Sequence, residues 1–172
     1  MEKSVLDAFW RAMSHDRDPS NDDLAQDRSE PSGSSSPTHA YHSLMSDLKA
    51  TYLAYLDALN DRRFGDLTEF VHDDLTYNGK MLTRQEYADM IAADAQAVPD
   101  LHFDAHLFTS GDDLISARLW FDCTPTGALF GLRPTGQRVS FAEHVFYRFR
   151  DGRIAEVWSV IDRDAVRDQY AG

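Results

Sequence analysis

The apolar residues between positions 46 and 99 recur every three or four residues, which is the spacing of amphipathic helices. A first helix is predicted from about Ser46, whose side chain is a suitable N-cap. The apolar stripe of this helix consists of Leu48, Tyr52, Tyr55, Leu56 and Leu59. Apolar runs at 67–71 and 75–77 predict a short helix and a brief strand. A capping-box pattern at residues 83–86 predicts a further helix that ends before Pro99.

After Pro99 the apolar positions alternate with polar ones, which is the period of β-strands. Strands are predicted over residues 101–108, 114–122, 138–149 and 153–162, and a short helix over 164–170. The last two strands form a hairpin, because Asp151-Gly152 is a strong signal for a two-residue type I′ turn. Helices come first and an antiparallel meander follows. The predicted class is therefore α+β, with the helices on one face of a curved antiparallel sheet.

Residues 1–42 differ from the rest of the chain. They contain an acid-rich stretch and the Pro-, Gly- and Ser-rich run 31–38, a composition that buries too little apolar surface to offset its ordering entropy. We therefore predict a largely disordered tail over 1–42 and one folded domain over 43–172. Residues Val5 to Met13 carry a helical apolar stripe, which predicts either a short helix that frays or docks on its own domain, or a partner-binding peptide.

The charge and the single cysteine narrow the class of function. The formal net charge of -12 repels phosphate, so we expect neither nucleic-acid binding nor an anionic membrane partner. Cys123 is the only cysteine, which excludes an intramolecular disulfide and fits a reducing compartment. The chain contains neither an apolar run of membrane-spanning length nor a signal-peptide pattern at its N-terminus. These features predict a cytoplasmic protein.

The hairpin turn sets the expected pairing of the last two strands. Arg150 should pair with Arg153, and regular alternation from there predicts two faces. One face would carry Phe141, Glu143, Val145, Tyr147, Ile154, Glu156, Trp158, Val160 and Asp162. The other would carry His144, Phe146, Arg148, Ala155, Val157, Ser159 and Ile161. A bulge would exchange the faces and could turn His144 inward.

Two carboxylates, Glu143 and Asp162, lie on the first face among bulky aromatic residues. An apolar environment raises a carboxyl pKa and makes the group a useful acid or base near neutral pH. The alternative is that both carboxylates cap strand ends or pair with arginines such as Arg138, Arg148 or Arg163.

Two segments resemble the SnoaL-like polyketide cyclases of the nuclear-transport-factor-2-like superfamily. In residues 124–141, Pro134-Thr135-Gly136-Gln137-Arg138-Val139 is similar to the family's Pro-x-Gly-x-x-Val pattern. Residues 146–162 look like the family's closing hairpin, with Glu-x-Trp at Glu156-Val157-Trp158 and the following Asp162. The resemblance covers roughly residues 48–170.

The resemblance implies a cone, in which helices close one end of a curled sheet around a deep pocket. Similar members close polyketide rings by intramolecular aldol chemistry, with an acidic residue as acid and base and with no cofactor. Asp162 takes the place of the aspartate in the closing motif and would carry that role. Many members have another aspartate where this chain has Val145, and here the polar pair Glu143-His144 precedes it. Relatives commonly dimerise through the outer sheet face, so we expect a homodimer.

The predicted function is that of a cofactor-independent enzyme of secondary metabolism, an isomerase or a lyase. It would cyclise, isomerise or dehydrate a polyketide-like or aromatic small molecule. Glu143 or Asp162 would be the base, and Asn78, Tyr147 or His144 would stabilise the oxyanion. Phe141 and Trp158 would form the apolar part of the pocket. The alternative is a non-catalytic module of the same fold that binds a small ligand or supplies a dimer surface.

Two polar groups have simpler interpretations. Asn78 precedes Gly79, so it is either part of an Asn-Gly turn or a hydrogen-bond donor in the pocket. His102 and His106 share a strand face, but residues four apart on a strand are separated by about 13 Å, too far to bind one metal. We therefore expect no metal site.

Overall fold

The computed structural model describes residues 37–171, with side chains from residue 47 onward. The predicted tail up to residue 36, including the stripe from Val5 to Met13, lies outside the described residues. The first helix begins at Pro37, before the N-cap expected at Ser46, so it includes the last residues of the predicted tail.

The helices of the domain are α1 (Pro37–Asn60), α2 (Leu67–Phe70), α3 (Arg84–Ala97) and α4 (Arg163–Ala171). A single 3₁₀ turn, Phe64–Asp66, precedes α2. The predicted capping box of α3 is confirmed. The Thr83 hydroxyl accepts from the Glu86 backbone N–H at 3.2 Å, and the Glu86 carboxylate accepts from the Thr83 backbone N–H at 2.8 Å.

Six strands form one curved, unclosed sheet. They are β1 (Val71–Tyr77), β2 (Lys80–Thr83), β3 (Asp104–Ser110), β4 (Leu114–Cys123), β5 (Val139–Arg150) and β6 (Arg153–Ile161). Their order is β2-β1-β6-β5-β4-β3. All neighbours are antiparallel except β1 and β6, which pair in parallel. The sequence pattern predicted neither β2 nor this parallel pair, because the β1–β6 contact joins distant parts of the chain.

The core lies between the helices and the concave face of the sheet. Tyr52 and Tyr55 of α1 are almost completely buried, and both rings contact Tyr147 of β5 at centroid distances of 5.4 and 5.8 Å. Burying an aromatic side chain of this size contributes about 1.5–3 kcal/mol relative to its exposed state. The apolar stripe predicted for the first helix is therefore the surface that holds α1 on the sheet.

A β-bulge at Ala155 changes the predicted register of the hairpin. Arg150 pairs with Arg153 and Phe149 with Ile154, as expected, but Arg148 then pairs with Glu156 instead of Ala155. A bulge places two residues of one strand opposite one residue of the other, so it reverses the faces of all later residues of that strand. Ser159 and Val157 consequently face inward, and Trp158 and Val160 face outward. The faces predicted for β6 beyond Ile154 were wrong, whereas those of β5 are as expected.

No helix between residues 37 and 171 has both the length and the apolar character needed to cross a bilayer.

Candidate active site

Two neighbouring cavities lie between α3 and the concave face of the sheet. Their volumes are about 60 and 50 Å³. Both are lined by Asp94, Phe103, Glu143 and Ile161, so these four residues form the junction between them. The first cavity, here called the tyrosine cavity, is completed by Tyr55, Tyr77, Tyr87, Met90, Ile91, Tyr147 and Val157. The second, the phenylalanine cavity, is completed by Val98, Leu101, Phe121, Leu129, Phe130 and Phe141.

Glu143 projects from β5 into the junction, as the alternation of that strand predicts. Its Oε1 accepts a hydrogen bond of 2.5 Å from the Ser159 hydroxyl. Burial raises the pKa of the Glu143 carboxyl, and the hydrogen bond from Ser159 opposes that rise. A buried carboxylate with one fixed donor is suited to act as a base near neutral pH.

Asn78 positions Ser159, and this contact decides between its two sequence interpretations. Asn78 lies in the turn after β1 with φ of 47°, a left-handed conformation that asparagine tolerates. Its side-chain amide donates to the Ser159 carbonyl at 3.1 Å and accepts from the Ser159 backbone N–H at 2.8 Å. Asn78 is thus part of the turn, and its side chain forms hydrogen bonds with the backbone of β6. It does not line either cavity, as a hydrogen-bond donor to a ligand would.

Asp94 is a second carboxylate of the pocket that the sequence analysis missed. It lies on α3, four residues after Met90 and therefore on the same helical stripe as the buried residues Tyr87, Met90 and Ile91. The sequence signal that could have identified Asp94 is a carboxylate within the apolar stripe of a helix. Burial raises the pKa of Asp94 well above its ordinary value, and the nearby charge of Glu143 raises it further.

Both carboxylates are enclosed by protein and still retain some accessible surface. A side chain that lines a cavity is surrounded by neighbouring residues and can still be reached by a small molecule. Since both cavity linings include the two groups, their accessible surface is the surface that a ligand would contact.

The tyrosine cavity is rich in phenol groups. The hydroxyls of Tyr55 and Tyr87 share a hydrogen bond of 2.7 Å, and Tyr77 and Tyr147 complete the group. Burial raises the pKa of each of these four tyrosines, so they remain neutral hydrogen-bond donors at physiological pH. Neutral donors in a dry pocket can stabilise an oxygen that gains negative charge.

The phenylalanine cavity supplies an apolar surface with a defined shape. Phe141 stacks on Phe121 at a centroid distance of 5.0 Å and meets the edge of Phe130 at 5.5 Å. Such offset and edge contacts hold aromatic rings in fixed orientations. Phe141 and Tyr147 therefore line the pocket, as the sequence predicted, one in each cavity.

Asp162 does not reach the pocket. Strand β6 ends at Ile161, and the exposed Asp162 accepts a hydrogen bond of 3.0 Å from the Ala165 backbone N–H at the start of α4. This is the geometry of a helix N-cap. The expectation that Asp162 and Glu143 face one pocket was wrong. Asp162 has a capping role instead, at the N-terminus of α4.

Trp158 and His144 lie on the outer face of the sheet. The bulge turns Trp158 outward, where the Arg148 guanidinium lies 5.1 Å from the centre of its ring. The predicted pocket position of Trp158 was therefore wrong. His144 is exposed and pairs with Val160 on the same outer face, because the bulge lies in β6 and leaves the faces of β5 unchanged.

Among residues 47–171, no three histidine, cysteine, aspartate or glutamate side chains are grouped closely enough to hold a metal ion.

An open curved sheet closed by N-terminal helices, with an enclosed carboxylate in an aromatic pocket, defines an α+β protein of the nuclear-transport-factor-2-like type. Residues 49–170 match the family model of SnoaL-like polyketide cyclase, and because this match covers most of the chain, the chain belongs to that family. No curated protein matches the chain.

Solved structures support the same assignment. A SnoaL-like polyketide cyclase from Agrobacterium tumefaciens is 43% identical, with a TM-score of 0.69, over 72% of this chain and 97% of that chain. AclR from Streptomyces galilaeus, for which a hydroxylase activity has been suggested, is 25% identical over 74% of this chain and 97% of its own, with a TM-score of 0.63. IdmH from Streptomyces antibioticus, a suggested polyketide cyclase, is 20% identical over 73% of this chain and 99% of its own, with a TM-score of 0.65. At this identity the similarity shows the fold alone.

Proposed function

We propose that the protein is a cofactor-independent acid/base enzyme that acts on a neutral, polyketide-like molecule in the pocket between α3 and the sheet, with Glu143 as the base. The observation that carries the proposal is the Glu143 carboxylate, enclosed among aromatic rings and bonded to Ser159. The 43% identity to a SnoaL-like polyketide cyclase adds support for a ring-closing reaction. The single, buried cysteine fits our expectation of a cytoplasmic enzyme.

The proposed reaction begins with removal of a proton from a carbon next to a carbonyl group. The Glu143 carboxylate takes the proton, the C–H electron pair becomes a C=C bond, and the carbonyl π electrons move to the oxygen. The phenol hydroxyls of the tyrosine cavity donate to that enolate oxygen. The enolate carbon then attacks a second carbonyl of the same molecule, and the protonated Glu143 returns its proton to the new alkoxide, which closes a ring.

The pocket lining favours a substrate without negative charge. Among residues 47–171, the two cavities have two carboxyl residues and no lysine, arginine or histidine in their linings. An anionic ligand would meet like charge and no counter-ion, which is costly in a low-dielectric site. We expect the oxygen atoms of the substrate to lie among the tyrosines and its aromatic or alicyclic part among the phenylalanines.

Binding of a ring system must join the two cavities. Pockets for small organic ligands usually measure about 300–1,000 Å³, and each cavity here is far smaller. Even together the two cavities are smaller than that range, so a ring system must also widen the pocket. Phe103 and Ile161 line both cavities and are only half-buried, so we expect these two side chains to move when a ligand binds. The same base and donors would also serve an isomerisation or a dehydration, because both begin with the same proton removal.

A proton-exchange experiment separates an enzyme from a binding module. The probe is 2-tetralone, a neutral bicyclic ketone whose α-protons exchange with deuterium only through the enol or enolate. In D₂O, wild-type protein should accelerate this exchange, as followed by proton NMR. Saturable binding without accelerated exchange would contradict the enzyme assignment and favour the non-catalytic ligand-binding module.

A further inference from the structure

Asp94 and Glu143 approach the pocket from opposite sides. Asp94 comes from helix α3, Glu143 comes from strand β5, and both line the tyrosine cavity as well as the phenylalanine cavity. A ligand that spans the two cavities must therefore pass both carboxyl groups. The reaction proposed above uses one base, which leaves the second carboxyl group without a role.

The two carboxyl groups have unequal hydrogen-bond partners. Glu143 accepts from the Ser159 hydroxyl, and Ser159 is held in place by the two hydrogen bonds of Asn78. Within residues 47–171, only burial and the charge of Glu143 act on the pKa of Asp94, and no hydrogen bond to its carboxylate opposes them. Hydrogen bonds to a carboxylate stabilise its ionised form, so the fixed donor favours a negative charge on Glu143 rather than on Asp94.

Among residues 47–171, neither cavity lining contains a positively charged side chain that would allow both groups to ionise. The titratable groups that interact with the pair are phenols: Tyr52 and Tyr55 from α1, Tyr77 from β1, Tyr87 from α3 and Tyr147 from β5. All five are neutral at physiological pH, because burial raises their pKa values. Arg163, at the start of α4, lies over the Phe130 ring at 5.2 Å but is not part of either cavity lining. Two like charges in such a site are avoided by keeping one proton.

We propose that Asp94 and Glu143 form a proton-sharing pair in which Asp94 keeps the proton and donates a hydrogen bond to the substrate oxygen, while the ionised Glu143 takes the proton from carbon. This assignment rests on the proposed function and adds a carboxylic acid to the phenol groups that donate to the enolate oxygen. The C–H proton goes to Glu143, the C–H electrons form the C=C bond, and the carbonyl π electrons move to the oxygen bonded by the Asp94 O–H. No other reactant is required.

The order in which the two groups ionise tests the pair directly. Protein labelled with ¹³C at the aspartate and glutamate carboxyl carbons is titrated by NMR, and through-bond experiments on the wild type assign the two signals. Glu143 should ionise at a lower pH than Asp94. The disappearance of one signal in Asp94→Asn and of the other in Glu143→Gln confirms the assignment.

The variants should respond unequally. In Glu143→Gln the pKa of Asp94 should fall, because the neighbouring charge has been removed. In Asp94→Asn the pKa of Glu143 should change little, because Asp94 is already neutral while Glu143 ionises. The control is Glu156→Gln, which removes an outer-face carboxylate paired with Arg148 at 3.2 Å and should leave both pKa values unchanged.

Two results would overturn the pair: Asp94 ionising before Glu143 in the wild type, or an Asp94 pKa that is unchanged in Glu143→Gln. The wild-type order decides the question even if a variant fails to fold. The titration measures ionisation without any turnover, so its result does not depend on whether the protein is an enzyme. A protein with the predicted order that does not accelerate 2-tetralone exchange would contradict the enzyme and leave the proton-sharing pair intact.

Discussion

At the scale of single residues, the site depends on one carboxylate that the sequence placed well and one that it missed. Glu143 followed from strand alternation in β5. Asp94 did not, because a single aspartate on a helix usually faces solvent, and only the tertiary structure shows that this side of α3 covers a cavity. Asp162 was carried over by resemblance, and the end of β6 at Ile161 leaves it exposed as a helix cap.

The two buried carboxyl groups should make stability depend on pH in a defined direction. Their pKa values are raised in the folded protein, so the folded state holds protons that the unfolded chain has already released. The contribution of these two groups to the free energy of unfolding therefore falls as pH rises above about 4, the ordinary pKa of a carboxyl group. Glu143→Gln and Asp94→Asn should each reduce this fall.

Urea unfolding at a series of pH values from about 4 to about 8 measures this difference. Subtracting the wild-type curve removes the contribution of surface carboxylates such as Glu86 and Asp122, whose pKa values are lowered. A variant-minus-wild-type difference that stays constant with pH, or that favours the wild type increasingly at high pH, would contradict the buried, raised carboxyl groups.

At the scale of elements, the sequence predicted the hairpin turn and the helix cap, and it missed the β-bulge that reverses the faces of β6. The Asp151-Gly152 turn and the α3 capping box each have a local sequence signature, and both are present. The bulge at Ala155 has none, because Ile154 to Ser159 contains apolar residues at both odd and even positions. The parallel pairing of β1 with β6 depends on contacts between distant segments, which alternation does not encode.

Asn78 connects two of these elements, and its replacement should weaken the site through the sheet. Asn78→Gly removes both hydrogen bonds to Ser159 and keeps a residue that accepts positive φ. Loss of these partners should lower the free energy of unfolding by about 1–3 kcal/mol. Asn78→Ala should cost about 1–2 kcal/mol more, because alanine disfavours the left-handed conformation.

Chemical unfolding of the two variants separates the contributions. If Asn78→Gly is as stable as the wild type, the hydrogen bonds to Ser159 do not hold β6 in place. If glycine and alanine have equal effects, the left-handed backbone of residue 78 does not contribute. The first result would contradict the positioning role described for Asn78, and the second would contradict the contribution assigned to its left-handed backbone.

At the scale of the whole molecule, the outer face of the sheet carries several exposed apolar side chains. Phe146 and Val160 of the hairpin are 45% and 66% exposed, and Trp158 pairs with Phe146. Leu107 of β3 is 63% exposed and lies on the same face, beyond His144 and Arg118. Exposed apolar side chains on one sheet face are suited to a protein–protein interface. We therefore expect a homodimer formed through the outer face, which leaves the pockets on the concave faces free for ligands.

Light scattering tests this association. The wild type should have about twice the mass of the 19.5 kDa chain, and Val160→Asp should shift it toward monomer because a charge would be buried in the interface. The control is Met81→Asp on edge strand β2, which introduces the same charge at a side chain that is 67% exposed and should remain dimeric. A wild type with the mass of one chain at micromolar concentration would contradict the dimer.

The central claim is that Glu143 in the aromatic pocket is the base, and the rates of 2-tetralone deuterium exchange in three variants test it most directly. Glu143→Gln preserves shape and removes basicity, so it should lower the catalysed rate by about 10²–10⁴-fold. Asp162→Asn and the matched control Glu156→Gln alter exposed or outer-face carboxylates and should exchange at close to the wild-type rate. The account is contradicted if Glu143→Gln retains the wild-type rate, or if Asp162→Asn loses the activity while Glu143→Gln keeps it.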